Sequence, residues 1–252
     1  NTYTFEGMMP DGKALQMGTT HYLGQGFMKV FGVEYKGEDE QMHYPHYNSW
    51  GFATRLLGAA IMTHSDDAGL ILPPKVAKQK VRIIPALRKD NQDKVMAFID
   101  QLTTQIPYAH VDTSDYSMGW KLKDAELMGV PLCIIVGERE VDENVVTVKL
   151  RDVADKKSVE VNGINARIKQ ELDDMHDRLY RRAESFLRAH IVQVDSLDKL
   201  QRVVSEGNFA KAYFSCDNDD EAKFEEEFGF GTRCIDMDNT TKGTCIYTGK
   251  PT

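Results

Sequence analysis

The rhythm of hydrophobic and polar positions changes twice along the chain. Over residues 1 to about 75, β-like runs (Thr2 to Met9, Phe31 to Tyr35) alternate with turns such as Pro10-Asp11-Gly12. A near-continuous apolar helix follows, carrying Phe52, Leu56, Leu57, Ile61 and Met62. A helix apolar nearly all round is expected to be buried. "LILPP" (Leu70 to Pro74) ends this part, because proline extends neither a helix nor a central strand. From about 78 to 160 strands and helices alternate. "VRIIPAL" reads as a strand, and residues 91 to 106 as an amphipathic helix, apolar at Val95, Phe98, Ile99, Leu102 and Ile106, with Asp90 as its N-cap. "AHVDT" is a short strand, "GWKLKDAELMG" a helix ended by Gly129, and "PLCIIVG" and "NVVTVKL" are strands. That order predicts an α/β domain, a largely parallel or mixed sheet with helices on its faces. The last part opens at a tight turn, Asn162-Gly163. Its long helix carries a stripe at Ile168, Leu172, Met175, Leu179 and Phe186, and a second helix spans Leu197 to Ser205.

A length of 252 residues allows two or three domains, and 41% hydrophobic content supports real cores. The net charge of −8 excludes a generally basic, nucleic-acid-coating protein. The charge is uneven, however. Lys75 to Lys94 holds seven Lys/Arg against Asp90 and Asp93, a balance of +5. This stretch is either an RNA-facing patch or a solvated face beside a strand. Asp217 to Glu227 holds seven acids against Lys223, a balance of −6, and reads as a solvated helix start. Four cysteines in a chain this long make no disulfide framework, and Cys133 in its apolar run reads as a core residue. No signal peptide is visible, and no apolar run approaches the roughly 20 residues that span a bilayer. A cytosolic protein without a membrane partner is expected. The chain enters a strand directly at Asn1 and reads as a piece of something longer.

Arg55 is the residue the pattern does not explain. In the middle of a buried helix, with Gly51 and Gly58 at i−4 and i+3 on its face, a guanidinium needs an anion, since an unpaired buried charge costs several kcal/mol. Glycines above and below suit a phosphate-binding floor; a structural pair with a core carboxylate is the other reading. Upstream, "GTTHYLG" places two hydroxyls and His21 between Gly18 and Gly24, which suits contact with a small polar ligand. No nucleophile elbow of the glycine-x-serine-x-glycine type is present, which disfavours a serine hydrolase. His43 and His46 in "HYPH" read as surface residues rather than zinc ligands, and His64 as the cap of the apolar helix.

"DGKALQMGTTHYLGQGF" followed by "NSWGFATRLLGAAIMTHSDDAGLILPPKVA" resembles the second half of the catalytic core of the prolyl-tRNA synthetases, in their archaeal and eukaryotic-type branch. The resemblance continues through "VRIIPAL", "GWKLKDAELMGVPLCIIVG" and "FGTRCIDMD" to "GKPT". It implies three parts: part of a class II antiparallel-sheet catalytic core over 1–75, an α/β anticodon-binding domain with a mixed sheet over 76–160, and a small α+β C-terminal domain over 161–252. It implies ATP contact at Gln16 and Thr19, proline contact at His21, and in Arg55 the catalytic motif 3 arginine that holds the γ-phosphate. Ala53 stands where relatives often have an ATP-contacting threonine.

The implied reaction is two-step: L-proline and ATP, with Mg²⁺, form prolyl-adenylate, and the 3′ end of tRNA(Pro) then accepts the prolyl group. The implied enzyme is a cytoplasmic homodimer, of which this stretch holds half an active site and is inactive alone. Threonyl, histidyl or glycyl synthetases, or a non-enzymatic RNA-binding paralogue, are the alternatives, and "TTHYLG" with Arg55 favours the prolyl reading. Many relatives hold a four-cysteine zinc near the C-terminus. Here the aligned positions are Cys216, Glu221, Cys245 and Thr248, and threonine is a poor ligand, so no zinc is expected. Packing around Phe209, Tyr213, Phe214, Phe228 and Ile235 is expected to hold this part instead, with Cys216 and Cys245 close together as thiols.

Overall fold

The structure, a computed structural model, describes residues 1–237 and 241–252. Asp238, which ends the "FGTRCIDMD" resemblance, lies outside them. The chain divides into two compact units, one of Asn1–Ala59 with Phe186–Thr252 and the other of Ala60–Ser185.

The first unit begins with a hairpin of β1 (Thr2–Met8) and β2 (Ala14–Gly24), to which β5 (Tyr47–Phe52) adds antiparallel along β2. Between them lie α1 (Gly26–Phe31) and a two-residue ladder of β3 (Tyr35–Lys36) with β4 (Met42–His43). The strand expected from Phe31 is therefore replaced at its start by a helix end. Gly32, at φ 65°, closes α1 in the left-handed conformation, where glycine has no Cβ to clash.

The next helix, α2 (Arg55–His64), corrects two expectations. Gly51 lies in β5, so Arg55 opens the helix rather than sitting mid-helix between glycines. Only Ala59 of α2 is buried, and Leu57 is 67% exposed. An all-round apolar pattern states what a helix is able to bury, not what is present to cover it.

The second unit is a five-stranded sheet in the order β10-β9-β8-β6-β7. Its strands are β6 (Val81–Pro85), β7 (Ala109–Val111), β8 (Leu132–Val136), β9 (Val145–Leu150) and β10 (Lys156–Glu160). β6 is parallel to both β7 and β8; β9 and β10 return antiparallel, giving the expected mixed sheet. The crossovers carry α3 (Gln92–Gln105) and α4 (Met118–Leu127), and α5 (Glu138–Asp142) follows β8. Val81, Ile83, Leu132, Ile134, Val146 and Val148 pack against Val95, Ile99 and Leu102 of α3. The stripe of α6 (Ile164–Ala189) at Ile164, Ile168, Leu172, Met175 and Leu179 joins the same core. Phe186 is only half-buried, and α3 is capped by Asn91 rather than Asp90. The Asn91 side-chain oxygen accepts the Arg88 N–H at 2.7 Å, which holds the turn before the helix.

The first unit resumes with a parallel pair, β11 (Ile191–Gln193) and β12 (Phe209–Lys211), joined through α7 (Leu197–Ser205), and ends with α8 (Asn218–Phe228). The acidic run is indeed a helix start: Asp217 caps α8 by accepting the N–H groups of Asp219 and Asp220. Phe224 is the hub of this small core, with Phe214, Phe228, Phe230 and Tyr247 around it. Ile235 is 83% exposed and takes no part. α8 turns Phe224 inward, and the aromatic rings around it form this core without Ile235.

Candidate functional site

The residues expected to bind ligand converge through an irregularity in the hairpin. Phe5 pairs with Gly18, but the next residue, Glu6, pairs with Gln16, so Met17 is an extra residue on β2. Such a bulge resets the alternation of side chains along a strand. Without it Gln16 would share a face with Gly18 and Thr20. With it, Gln16 stands on the same face as Thr19 and His21, beside Glu6, Thr4 and Thr2 of β1. Met17 turns to the other face, its side chain lying over Gly7. Contacts on the polar face agree: Gln16 Nε2 donates to Glu6 Oε1 at 3.2 Å, and Thr2 Oγ1 meets His21 Nδ1 at 2.9 Å. On the neighbouring strand Gly51 stands opposite Thr19, and a Cβ added there would meet open space. The polar face is therefore unobstructed at its centre. The opposite face carries Tyr3, Phe5, Tyr22, Trp50 and Phe52, all exposed.

Arg55 leaves the end of β5 at the first turn of α2 and is exposed, contrary to the expected burial. Its Nη1 donates to the Gln16 carbonyl at 3.4 Å, a long contact made to the same strand that carries Thr19 and His21. No carboxylate pairs with Arg55 among the described residues' ion pairs. The structural-pair reading loses its support, and so does the argument from burial. An exposed guanidinium at the rim of a polar face remains, free to meet an anion. Ala53 precedes it and offers no hydroxyl.

His43 and His46, the other candidate donors near this face in sequence, are occupied locally. His43 Nε2 lies 2.9 Å from the Asp39 carboxylate, which this contact holds below its ordinary value, and His46 takes the Tyr22 hydroxyl. His64 ends α2; burial, and the charges of Arg182 and His176, hold its imidazole below the ordinary histidine value. At the C-terminal end Cys216 and Cys245 are in contact as free thiols. Burial, and then the neighbouring Cys245 sulfur, push Cys216 up to about 11. Burial also acts to raise Cys245, but hydrogen bonds from Thr248, Ser215 and Tyr247 bring it down to about 7. Thr248 Oγ1 donates to the Ser215 carbonyl at 3.1 Å and Glu221 accepts the Thr232 hydroxyl. Two thiols with a committed hydroxyl and a committed carboxylate are not a zinc donor set.

The basic stretch is not one patch. Lys75, Lys78 and Lys80 precede β6 at the amino end of the parallel strands, whereas Arg88 and Lys89 follow it at the carboxyl end. Between them Arg82 is buried. Its Nη1 meets Asp124 Oδ2 at 2.6 Å and Asp112 Oδ2 at 3.8 Å, and its Nε and Nη2 both donate to Gln79 Oε1. Lys121, also buried, donates to the Asp112 carbonyl at 2.9 Å. At the same carboxyl end stands a feature that periodicity does not reveal. Tyr116 and Trp120 stack with ring centroids 3.8 Å apart while 58% and 46% exposed. Their i,i+4 spacing across the start of α4 is the only sign of it in the sequence.

Known proteins fit this arrangement. A family profile described as "Anticodon binding domain" matches residues 80–171, and one described as "Prolyl-tRNA synthetase, C-terminal" matches residues 197–252. The proline–tRNA ligase of Phocaeicola vulgatus is 38% identical over 261 residues, covering 100% of this chain and 53% of that protein. The proline–tRNA ligase of Chloroflexus aurantiacus is 39% identical over 260 residues, covering 100% of this chain and 54% of that protein. A crystal structure of prolyl-tRNA synthetase from Cryptosporidium parvum, complexed with halofuginone and AMPPNP, superposes with a TM-score of 0.90 at 32% identity. It covers 99% of this chain and 54% of that one. A second, with L-proline and AMP, gives a TM-score of 0.89. The mixed sheet with its matching profile defines a protein of the anticodon-binding class. Within that class the chain belongs to the prolyl-tRNA synthetase family and corresponds to its C-terminal region. It spans about half the length of the relatives it matches.

Proposed function

We propose that this chain serves proline–tRNA ligation: activation of L-proline by ATP to prolyl-adenylate, then transfer to the 3′ end of tRNA(Pro). The observation that carries the reading is the bulge-dependent gathering of Gln16, Thr19 and His21 on one polar face, open at Gly51, with Arg55 at its rim. Gln16 and Thr19 are assigned to ATP and His21 to proline. Arg55 is assigned to the charge that builds on the triphosphate as the proline carboxylate attacks the α-phosphorus. Positioning and charge stabilisation of this kind are the main contributions a protein makes to such a step. Relatives complexed with AMPPNP, or with L-proline and AMP, support the substrates. Among the described residues no group of three or more His, Cys, Asp or Glu side chains could hold a metal ion. Mg²⁺ is assigned to the nucleotide, whose phosphates commonly supply much of its coordination.

We divide the work over residues 1–75 for the polar face, 76–160 for the anticodon and 161–252 for the C-terminal domain, whose first helix, α6, packs in the core of the preceding sheet and whose remainder folds without zinc. Homodimerisation and a cytoplasmic location belong to the same reading. No helix among the described residues is long and apolar enough to cross a membrane. The test uses the complete enzyme that contains this region. Arg55→Ala should lower proline-dependent ATP–pyrophosphate exchange about 100-fold or more, the scale of one lost charge-stabilising donor. Undiminished exchange would remove Arg55 from the site.

A further inference from the structure

Half-buried Glu6 stands on the polar face of the hairpin, opposite Gln16 at the register shift. A carboxylate withdrawn from water needs partners for both oxygens, because leaving one unpaired costs stability. Here only one is satisfied. Oε1 accepts Gln16 Nε2 at 3.2 Å, whereas Oε2 is shut off from water and has no hydrogen-bond partner among the described residues. The strand would be better served by a neutral side chain of the same shape, so folding does not account for a glutamate here. The contact it does make decides how Gln16 is displayed. The two ends of a side-chain amide are alike in shape and opposite in role, since the NH2 donates and the oxygen accepts. A carboxylate only accepts, so Glu6 holds the NH2 end toward β1 and leaves Oε1 of Gln16 for the open side of the face. Without that acceptor the amide is free to turn over and present a donor instead. The main chain of Gln16 is tied as well, its carbonyl taking Arg55 Nη1 at 3.4 Å. An acceptor oriented in advance on the wall of a site selects a ligand group that donates, and spares binding the cost of ordering it.

We propose that Glu6 is a positioning residue for the nucleotide: it locks the Gln16 amide with Oε1 turned outward, as acceptor for a hydroxyl or amino group of the nucleoside part of ATP. This rests on the assignment of Gln16 to ATP. The test uses ATP–pyrophosphate exchange by the complete enzyme that contains this region. Glu6→Gln keeps the shape but offers an NH2 as well as an oxygen, so either end of the Gln16 amide can pair with it. It should raise KM for ATP about 10-fold, the scale of one net hydrogen bond, and leave kcat and KM for proline within about 3-fold. A shielded carboxylate becomes a neutral amide, so the urea midpoint should hold or rise. In a Gln16→Ala background, Glu6→Gln should add nothing to KM for ATP, since it acts through the amide it holds. A parent-like KM for ATP in Glu6→Gln, with Gln16→Ala still raising it, would overturn the positioning role and leave the ATP reading of Gln16 standing. Additive effects of the two substitutions would also overturn it, by giving Glu6 a ligand contact of its own. A lowered urea midpoint or loss of the fold in Glu6→Gln would assign Glu6 to folding instead. A parent-like KM for ATP in Gln16→Ala would overturn both readings.

Discussion

Replacing Arg82 by methionine should destabilise the unit Ala60–Ser185 by about 2–3 kcal/mol. Loss of one partner from a buried ion pair costs about 3–5 kcal/mol. Two features lower that figure here. Asp124 keeps about a third of its side-chain surface in water, and Asp112 retains Lys121 at 3.8 Å. Gln79 loses two donors as well, but amides tolerate this better than carboxylates. At about 3–6 °C per kcal/mol for a unit of this size, the transition should fall by about 6–18 °C. The chain has two units, so a whole-protein melting curve is ambiguous; Trp120 fluorescence in a Trp50→Phe background follows the affected unit alone.

The carboxylates then add a pH signature. Burial tends to raise Asp112, but Ser114, Lys121 and Arg82 outweigh it and hold the group below its ordinary value. A depressed carboxyl contributes stability above its unfolded value, and that contribution fades as pH falls through the folded one. The gap between parent and Arg82→Met should therefore narrow on acidification. Adding Asp124→Leu to Arg82→Met should recover part of the loss, since an apolar pair in place of an ion pair is often neutral. A loss below about 1 kcal/mol, or no recovery in the double variant, would refute a buried network and leave an ordinary surface arginine.

Three further expectations can be checked separately. Asp66, bonded through both carboxylate oxygens to Arg151, should titrate at about 2 by NMR, and Arg151→Gln should return it toward the ordinary 3.8. Its stabilising contribution is present above pH 3.8 and is lost as pH falls through about 2; a native titration at the ordinary value would refute the pairing. Gly69→Ala should cost about 1–3 kcal/mol in urea unfolding, because φ is 139° and the added Cβ would lie 2.6 Å from the Leu127 Cα. A neutral outcome would mean that this turn shifts freely. Elemental analysis should find no stoichiometric zinc, and a chelator should leave the melting temperature unchanged; one zinc per chain, lost together with the fold, would contradict the donor set at Cys216 and Cys245.

The second unit is legible in the sequence because its signals are strong and local. Val81–Pro85 and Leu132–Val136 are wholly buried strands, and such strands read as unbroken apolar runs. The stripe of α6 shows the helical period along its length. The first unit is harder for a physical reason. Trp50 to Leu57 is largely apolar, so nothing in the pattern marks where β5 stops and α2 begins, and Arg55 reads as a mid-helix residue. Exposure is equally invisible: Leu57 and Ile235 read as packing residues because side-chain type does not report what covers it. Arg82 misleads the other way. It reads as part of a solvent-facing patch, since its partners Asp112 and Asp124 are distant in sequence. The residues proposed for the site are singled out by motif, but the reason they face one way is not.

That reason lies in how β2 pairs with β1 rather than in residue identities. Deleting Met17 would place Gln16 directly before Gly18, and simple alternation would then keep Gln16, Thr19 and His21 on one face. What the extra residue adds is a local kink in β2 and a side chain over Gly7. Methionine there is replaceable by any residue that fits over Gly7. Across homologous chains, both substitutions and a single-residue gap should therefore be tolerated at this position, while the spacing from Gly18 to His21 should be kept.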